Sequence, residues 1–142
     1  MEFINSAAFQ AAKLPLSQAV RVGDVLYLSG QLGAVDGGGT LVPGGIEPET
    51  RAMFARIGQT LNQHGLTFDN VFKCQVFLAD MADWPKFNAI YASYFEKGRY
   101  PARSAMGVNG LALGARVEME CWAWAGGEGK SSSSSPTKLR QA

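Results

Sequence analysis

Two cysteines and one histidine are all that this chain of 142 residues offers a soft metal, and no CxxC, HxxH or HExxH spacing accompanies His64, which argues against a structural metal site. Cys74 and Cys121 both fall in apolar runs of strand character. They are expected as buried thiols rather than a disulfide, because free cysteine packs as a small hydrophobe. No run approaches the roughly 18 apolar residues of a membrane span, and the start, Met1-Glu2-Phe3-Ile4-Asn5-Ser6, lacks the basic and apolar regions of a secretory signal. The expected compartment is the cytoplasm.

An excess of positive charge is also missing. Residues 1–126 carry 10 Lys and Arg against 11 Asp and Glu, so the overall +1 comes from the last residues. Without a basic stripe, the folded part is not expected to bind nucleic acid. The glycine-rich stretch from Val35 to Gly45 has neither GxxxxGK[ST] nor GxGxxG, and it is expected as a turn between short extended pieces rather than a phosphate cradle.

What is present is a single-domain pattern. Ala19–Val22 and Val25–Leu28 read as a hairpin turning at Gly23-Asp24. From about Glu47 to His64 the period changes to that of a helix, with Met53, Phe54, Ile57 and Leu61 on one stripe and Gly65 as its stop. His64 is expected in the last turn as an exposed or capping residue. A strand follows over Asn70–Leu78, with Phe72, Cys74, Val76 and Leu78 expected on one face and Lys73, Gln75 and Phe77 on the other.

Asp83 is the expected cap of a second helix, with Pro85 in its first turn, an apolar side of Trp84, Phe87, Tyr91, Tyr94 and Phe95, and Gly98 as its end. Strands near Ser104–Val108 and Val117–Ala125 complete the order β-β-α-β-α-β-β, with a further short strand near Leu41-Val42. The expected class is α+β, a mixed sheet with two helices on one face, parallel where a helix crosses over. Bulky residues on both faces of the last strand call for a second cover, and homo-oligomerisation is the economical one. Residues 1–126 are expected as the domain and 127–142, with five consecutive serines, as a disordered tail.

The chemistry centres on Arg103 in Tyr100-Pro101-Ala102-Arg103-Ser104-Ala105-Met106-Gly107 and on the glutamates of Val117-Glu118-Met119-Glu120-Cys121. A guanidinium can clamp a small carboxylate bidentately, and a nearby acid can handle a proton. The small residues beside Arg103 leave backbone amides approachable by an anion. The plain alternative is a salt bridge from Arg103 to one of the glutamates. Glu118 and Glu120 share a strand face, roughly 7 Å apart by strand rise, a spacing common at solvated sheet edges.

Taken in order, Leu28-Ser29-Gly30-Gln31, His64-Gly65-Leu66, Val71-Phe72-Lys73, Val76-Phe77-Leu78-Ala79-Asp80-Met81, Phe87 to Phe95, Pro101-Ala102-Arg103-Ser104 and Val117 to Cys121 resemble the RidA (YjgF/YER057c/UK114) family, the small trimeric enamine/imine deaminases. The resemblance covers roughly residues 3–125. It implies a chorismate-mutase-like fold, a homotrimer with inward-facing sheets, and sites in the clefts between neighbours. It also implies that Arg103 binds the substrate carboxylate and that Glu120 positions or activates water. Gly30 offers backbone and Asn88 shapes the wall of the same cleft.

No cofactor is needed for that chemistry: 2-aminoacrylate tautomerises to 2-iminopropanoate, and water adds to the C=N to release ammonia and pyruvate. Two positions depart from the family pattern. Leu16 stands where many members have a tyrosine, and Ala105 where a cysteine is frequent, so the substrate-binding wall is more apolar and the preference for substrate is open. The alternatives are a hydrolase for another small imine, enamine or carbamate-like substrate, and a non-catalytic ligand-binding or protein-interaction module on the same trimer. The endoribonuclease activity ascribed to some members fits the neutral charge poorly.

Overall fold

The structure, a computed structural model, describes residues 1–35 and 39–127. The expected tail lies outside the described residues except for Gly127, as do Asp36 to Gly38 of the glycine-rich loop.

The hairpin forms as expected. Strands β2 (Ala19–Val22) and β3 (Val25–Leu28) pair antiparallel around Gly23, whose φ of 59° is the left-handed conformation that glycine adopts without a Cβ clash. A strand that the sequence pattern did not announce, β1 (Glu2–Ile4), pairs with β2. A short helix α1 (Ala7–Ala11), capped by Ser6 Oγ accepting from Phe9 N–H at 3.1 Å, then leads back to the sheet. Strands β4 (Gln31–Leu32), β5 (Ala34–Val35) and β6 (Thr40–Leu41) follow, with β5 and β6 forming a separate two-stranded ladder.

Helix α2 (Ile46–Gln63) buries Met53, Phe54, Ile57 and Leu61. His64 is its C-cap, and Gly65 (φ 72°) closes it as Gly65 N–H reaches Asn62 O at 3.1 Å and Leu66 N–H reaches Leu61 O at 2.9 Å. That paired closure satisfies carbonyls the helix end leaves free, and Leu66 packs back on the core. Strand β7 (Val71–Leu78), helix α3 (Trp84–Ser93), and strands β8 (Ala102–Gly107) and β9 (Val117–Trp124) complete the chain.

The main sheet runs β1-β2-β3-β9-β7-β8, with β4 also on β9; β7 and β8 are parallel and the other pairs antiparallel. The parallel pair is the one joined through α3, as the crossover rule requires. Helices α2 and α3 cover one face, so the fold is the mixed α+β arrangement expected. The core lies between them, from Phe54, Phe87 and Tyr91 on the helices to Cys74, Val76, Leu78, Val117, Met119 and Cys121 on the sheet. Phe54 stacks on Tyr94 at 4.0 Å between centroids.

Three local expectations are corrected. Phe72 is not on the buried face: the register between β7 and β9 shifts between Val71 and Lys73, so Val71 turns inward and Phe72 is exposed, because one extra residue in a ladder flips what precedes it. Asp83 stands at the N-cap of α3 with Pro85 in the first turn, as expected, but its side chain makes no capping hydrogen bond; its carboxylate takes both Nε and Nη2 of Arg116 at 2.8 Å. The stronger, charge-assisted pairing wins, and Asp80 caps the preceding 3-10 turn by accepting from Ala82 N–H at 2.9 Å. Finally, α3 ends at Ser93 with Tyr94 as cap, and Gly98 (φ 87°) belongs to the turn beyond it.

Candidate active site

Arg103 lies on β8, which is an edge of the sheet. Its register partner is Cys74, a residue of the buried face, so the Arg103 side chain extends on the helix side, where α3 meets it. Nη1 donates to Asn88 Oδ1 at 2.8 Å. The guanidinium carbon sits 4.8 Å from the Trp84 ring centroid and 4.5 Å from that of Tyr91. Positions 84, 88 and 91 recur on one face of α3, so a single helix supplies two aromatic contacts and the amide. Among the described residues no carboxylate lies within ion-pair distance of Arg103, and the expected salt-bridge alternative to a binding role is not formed in the chain.

A pocket of about 440 Å³ opens on this arginine, lined by Asn88, Tyr91, Ala92, Tyr100, Pro101 and Arg103. Ala105, two residues along β8, faces the same side and packs against the core. A larger and broader concavity, of about 1110 Å³, adjoins at Tyr100 and Pro101 and is lined by His64, Arg99, Phe72 and Trp124 among others. It holds His64, whereas the arginine pocket, whose one cation among the described residues is Arg103, has a size that suits a small acid.

Beneath Arg103 the packing is unusual. The thiols of Cys74 and Cys121, opposite each other in the β7–β9 ladder, are 3.2 Å apart and free. The hydrogen bond between them lowers Cys74 and, together with burial, raises Cys121. The Tyr91 hydroxyl is buried without a hydrogen-bond partner among the described residues, and burial followed by the neighbouring Cys74 pushes its pKa far up.

The other named residues gather elsewhere. Glu118 and Glu120 alternate with buried Val117, Met119 and Cys121 on β9 and therefore stand on the open face, away from the helices. Glu120 is the register partner of Gln75 and Glu118 of Phe77. Gly30 packs directly against the Glu118 carboxylate, and a Cβ there would collide with it. Burial, and then the charge of Glu120, raise the Glu118 pKa. The sequence singles out Glu120 through the family motif and gives Glu118 no separate role; the close packing of Glu118 on Gly30 is a tertiary contact.

Leu16 is 45% exposed on the loop between α1 and β2. That loop is tied to the residue before Gly30, since Ser29 Oγ donates to Ser17 O at 2.6 Å and Ser29 N–H to Gln18 O at 3.1 Å. Arg103, Asn88 and Ala105 thus share the helix face, Gly30 accompanies the glutamates, and Leu16 is anchored beside Gly30. A single chain does not bring the two groups together. Among the described residues no cluster of three or more His, Cys, Asp or Glu is placed to hold a metal, and no helix is long and apolar enough to cross a membrane.

Residues 6–125 match the family described as Endoribonuclease L-PSP. The 2-iminobutanoate/2-iminopropanoate deaminase of Mus musculus is 43% identical over 120 residues, spanning 84% of this chain and 88% of the mouse protein. The Homo sapiens deaminase of the same name is 41% identical, over 84% of this chain and 87% of its own. The crystal structure of RidA from an Antarctic Psychrobacter species superimposes with a TM-score of 0.77 at 31% identity, covering 87% of this chain and 99% of that one. With family, relatives and fold in agreement, the chain belongs to the RidA (YjgF/YER057c/UK114) family.

Proposed function

We propose that this protein is a cofactor-independent deaminase of small imines, turning 2-iminopropanoate and close homologues, formed from enamines such as 2-aminoacrylate, into 2-oxo acids and ammonia. The carrying observation is an Arg103 guanidinium with no carboxylate partner among the described residues, held by Asn88, Trp84 and Tyr91 at the mouth of a pocket of about 440 Å³. Arg103 binds the substrate carboxylate with its remaining N–H groups, in the planar geometry that lysine lacks. Water adds to the imine carbon, its proton passing by way of Glu120 and Glu118, and the carbinolamine collapses to the carbonyl as nitrogen leaves as ammonia. A carboxyl raised by burial, as Glu118 is, is suited to hold that proton in transit.

In this reading Arg103 and Glu120 come from neighbouring copies of the chain. The open face exposes Tyr27, Phe72, Met106 and Trp124 at 39%, 41%, 40% and 49%, an aromatic surface that a homotrimer with inward-facing sheets would cover. Leu16 and Ala105 make the wall apolar and favour imines with short aliphatic side chains. The test is ammonia and 2-oxo acid release from freshly generated 2-iminopropanoate, by the parent chain, Arg103→Ala and Glu120→Ala. Acceleration lost in both variants supports the reading. No acceleration by the parent over the uncatalysed background sinks it.

A further inference from the structure

Arg21 pairs with Asp24, Arg99 with Glu96 and Arg116 with Asp83. Two others, Arg103 and Arg56, are half-buried, have no carboxylate partner among the described residues, and are instead held by a side-chain amide. For Arg103 the amide is Asn88. For Arg56 it is Gln31, whose Oε1 accepts from Arg56 Nε at 3.0 Å.

Arg56 opens on its own pocket, of about 240 Å³. Helix α2 contributes Arg56, Gln59, Thr60 and Gln63, spaced i, i+3, i+4 and i+7 along one face. Among the described residues none that lines it is acidic. One wall is rigid: Gln18 Oε1 accepts from Ser6 N–H at 3.0 Å, and Gln18 Nε2 donates to Thr60 Oγ1 at 2.9 Å. Gln31 is only 8% exposed. Its oxygen is spent on Arg56, and among the described residues no acceptor holds its Nε2, although the side chain lines the pocket.

The pocket therefore presents donors with no partner among the described residues, the outer N–H groups of Arg56 and the amide N–H₂ of a nine-tenths buried glutamine, beside the exposed amides of Gln59 and Gln63, either end of which can turn inward. Burial of the guanidinium, which lowers the Arg56 pKa, is a cost that a bound anion would offset. We propose that Arg56, Gln31 and the α2 face beside them form a second binding site, for a small oxyanion, carboxylate or phosphate. It is separate from the Arg103 pocket, with which it shares no lining residue, and it does not depend on the deaminase reading. An amide-tethered arginine facing amides and hydroxyls recognises a planar or tetrahedral group of two or three oxygens through charge-assisted hydrogen bonds.

The test is calorimetric titration of the full chain and of Arg103→Ala with sodium pyruvate in one arm and inorganic phosphate in the other, at ionic strength matched with sodium chloride. Arg103→Ala should retain one saturable site per chain for at least one anion, and the arm that saturates identifies the class. Adding Arg56→Gln should weaken that binding roughly tenfold or more, the worth of a charge-assisted contact. Gln31→Met, which keeps the charge and removes the amide donor, should weaken it by a smaller factor and covers the case in which Arg56→Gln does not fold. Absence of saturable binding by Arg103→Ala in both arms, or an isotherm unchanged by a folded Arg56→Gln, overturns the proposal.

Discussion

Arg103 and Glu120 stand on opposite faces of the same sheet. Arg103 is registered to buried Cys74 and meets α3, while Glu120, registered to Gln75, points away from the helices. Strand alternation makes this a matter of parity, which side-chain rotation cannot change. A reaction using both needs two chains, with the β8 edge of one against the open face of another. The consequence is testable by complementation: Arg103→Ala and Glu120→Ala chains, each inactive alone, are unfolded together and refolded in equal amounts. Random assembly gives about a quarter of the interfaces both intact residues, so about a quarter of parental turnover should return. No recovery, with mixed oligomers demonstrated, would place both groups in one chain's site.

The aromatic and amide contacts to Arg103 should act on binding more than on chemistry. Trp84→Leu removes one ring from the guanidinium, an interaction of about 0.5–2 kcal/mol, so KM should rise roughly 3- to 30-fold with kcat nearly unchanged. Asn88→Asp should do more harm than Asn88→Ala, because a carboxylate at 2.8 Å would compete with the substrate for the same cation. Steady-state kinetics across the three variants checks this. Equal falls in kcat with KM unchanged would show that the contacts serve another step.

These contacts also mark the limit of what the sequence discloses. The helix stripe of Met53, Phe54, Ile57 and Leu61, the hairpin at Gly23 and the alternation of β9 were legible because each is a short-range period set by burial. Phe72 was placed on the wrong face because a bulge leaves no mark in an alternating pattern. Asp83 went to Arg116, 33 residues on, and no local rule anticipates a partner so distant. The strand Glu2–Ile4 is too short to show a period. For the site, the residue types and the family motif singled out Arg103, Glu120, Gly30 and Asn88. The face each occupies, the packing of Gly30 on Glu118, and the hold of Trp84 and Tyr91 on the arginine are products of tertiary packing.

Tyr91 offers a stability test independent of activity. Its ring packs on Phe95 at 4.9 Å and on Phe87 at 5.7 Å, yet its buried hydroxyl has no hydrogen-bond partner among the described residues. Removing an unsatisfied buried hydroxyl relieves a cost of about 1 kcal/mol or more, so Tyr91→Phe should be as stable as the parent or more so. Tyr91→Ala should lose about 3–5 kcal/mol through the cavity it leaves. Urea unfolding of both decides, and a markedly destabilised Tyr91→Phe would mean that the hydroxyl has a partner, Cys74 being the nearest candidate.

Glu118 links the site to pH. Its pKa is raised in the folded protein by burial and then by Glu120, so folding favours its protonated form. The sign follows from linkage: stability from this group is fully present below the unfolded value near 4.5 and is lost as pH rises through the higher folded value. At neutral pH the parent therefore carries a penalty for an ionised, partly desolvated carboxylate beside Glu120, and Glu118→Gln removes it. Glu118→Gln should melt higher than the parent at pH 7, and the gap should close as pH falls below the folded pKa of Glu118. Activity should move the other way if Glu118 carries the proton, with kcat reduced at every pH and the limb of the pH profile due to this carboxyl absent. A melting gap that widens toward acid pH would reverse the sign of the shift and remove Glu118 as the proton-holding group.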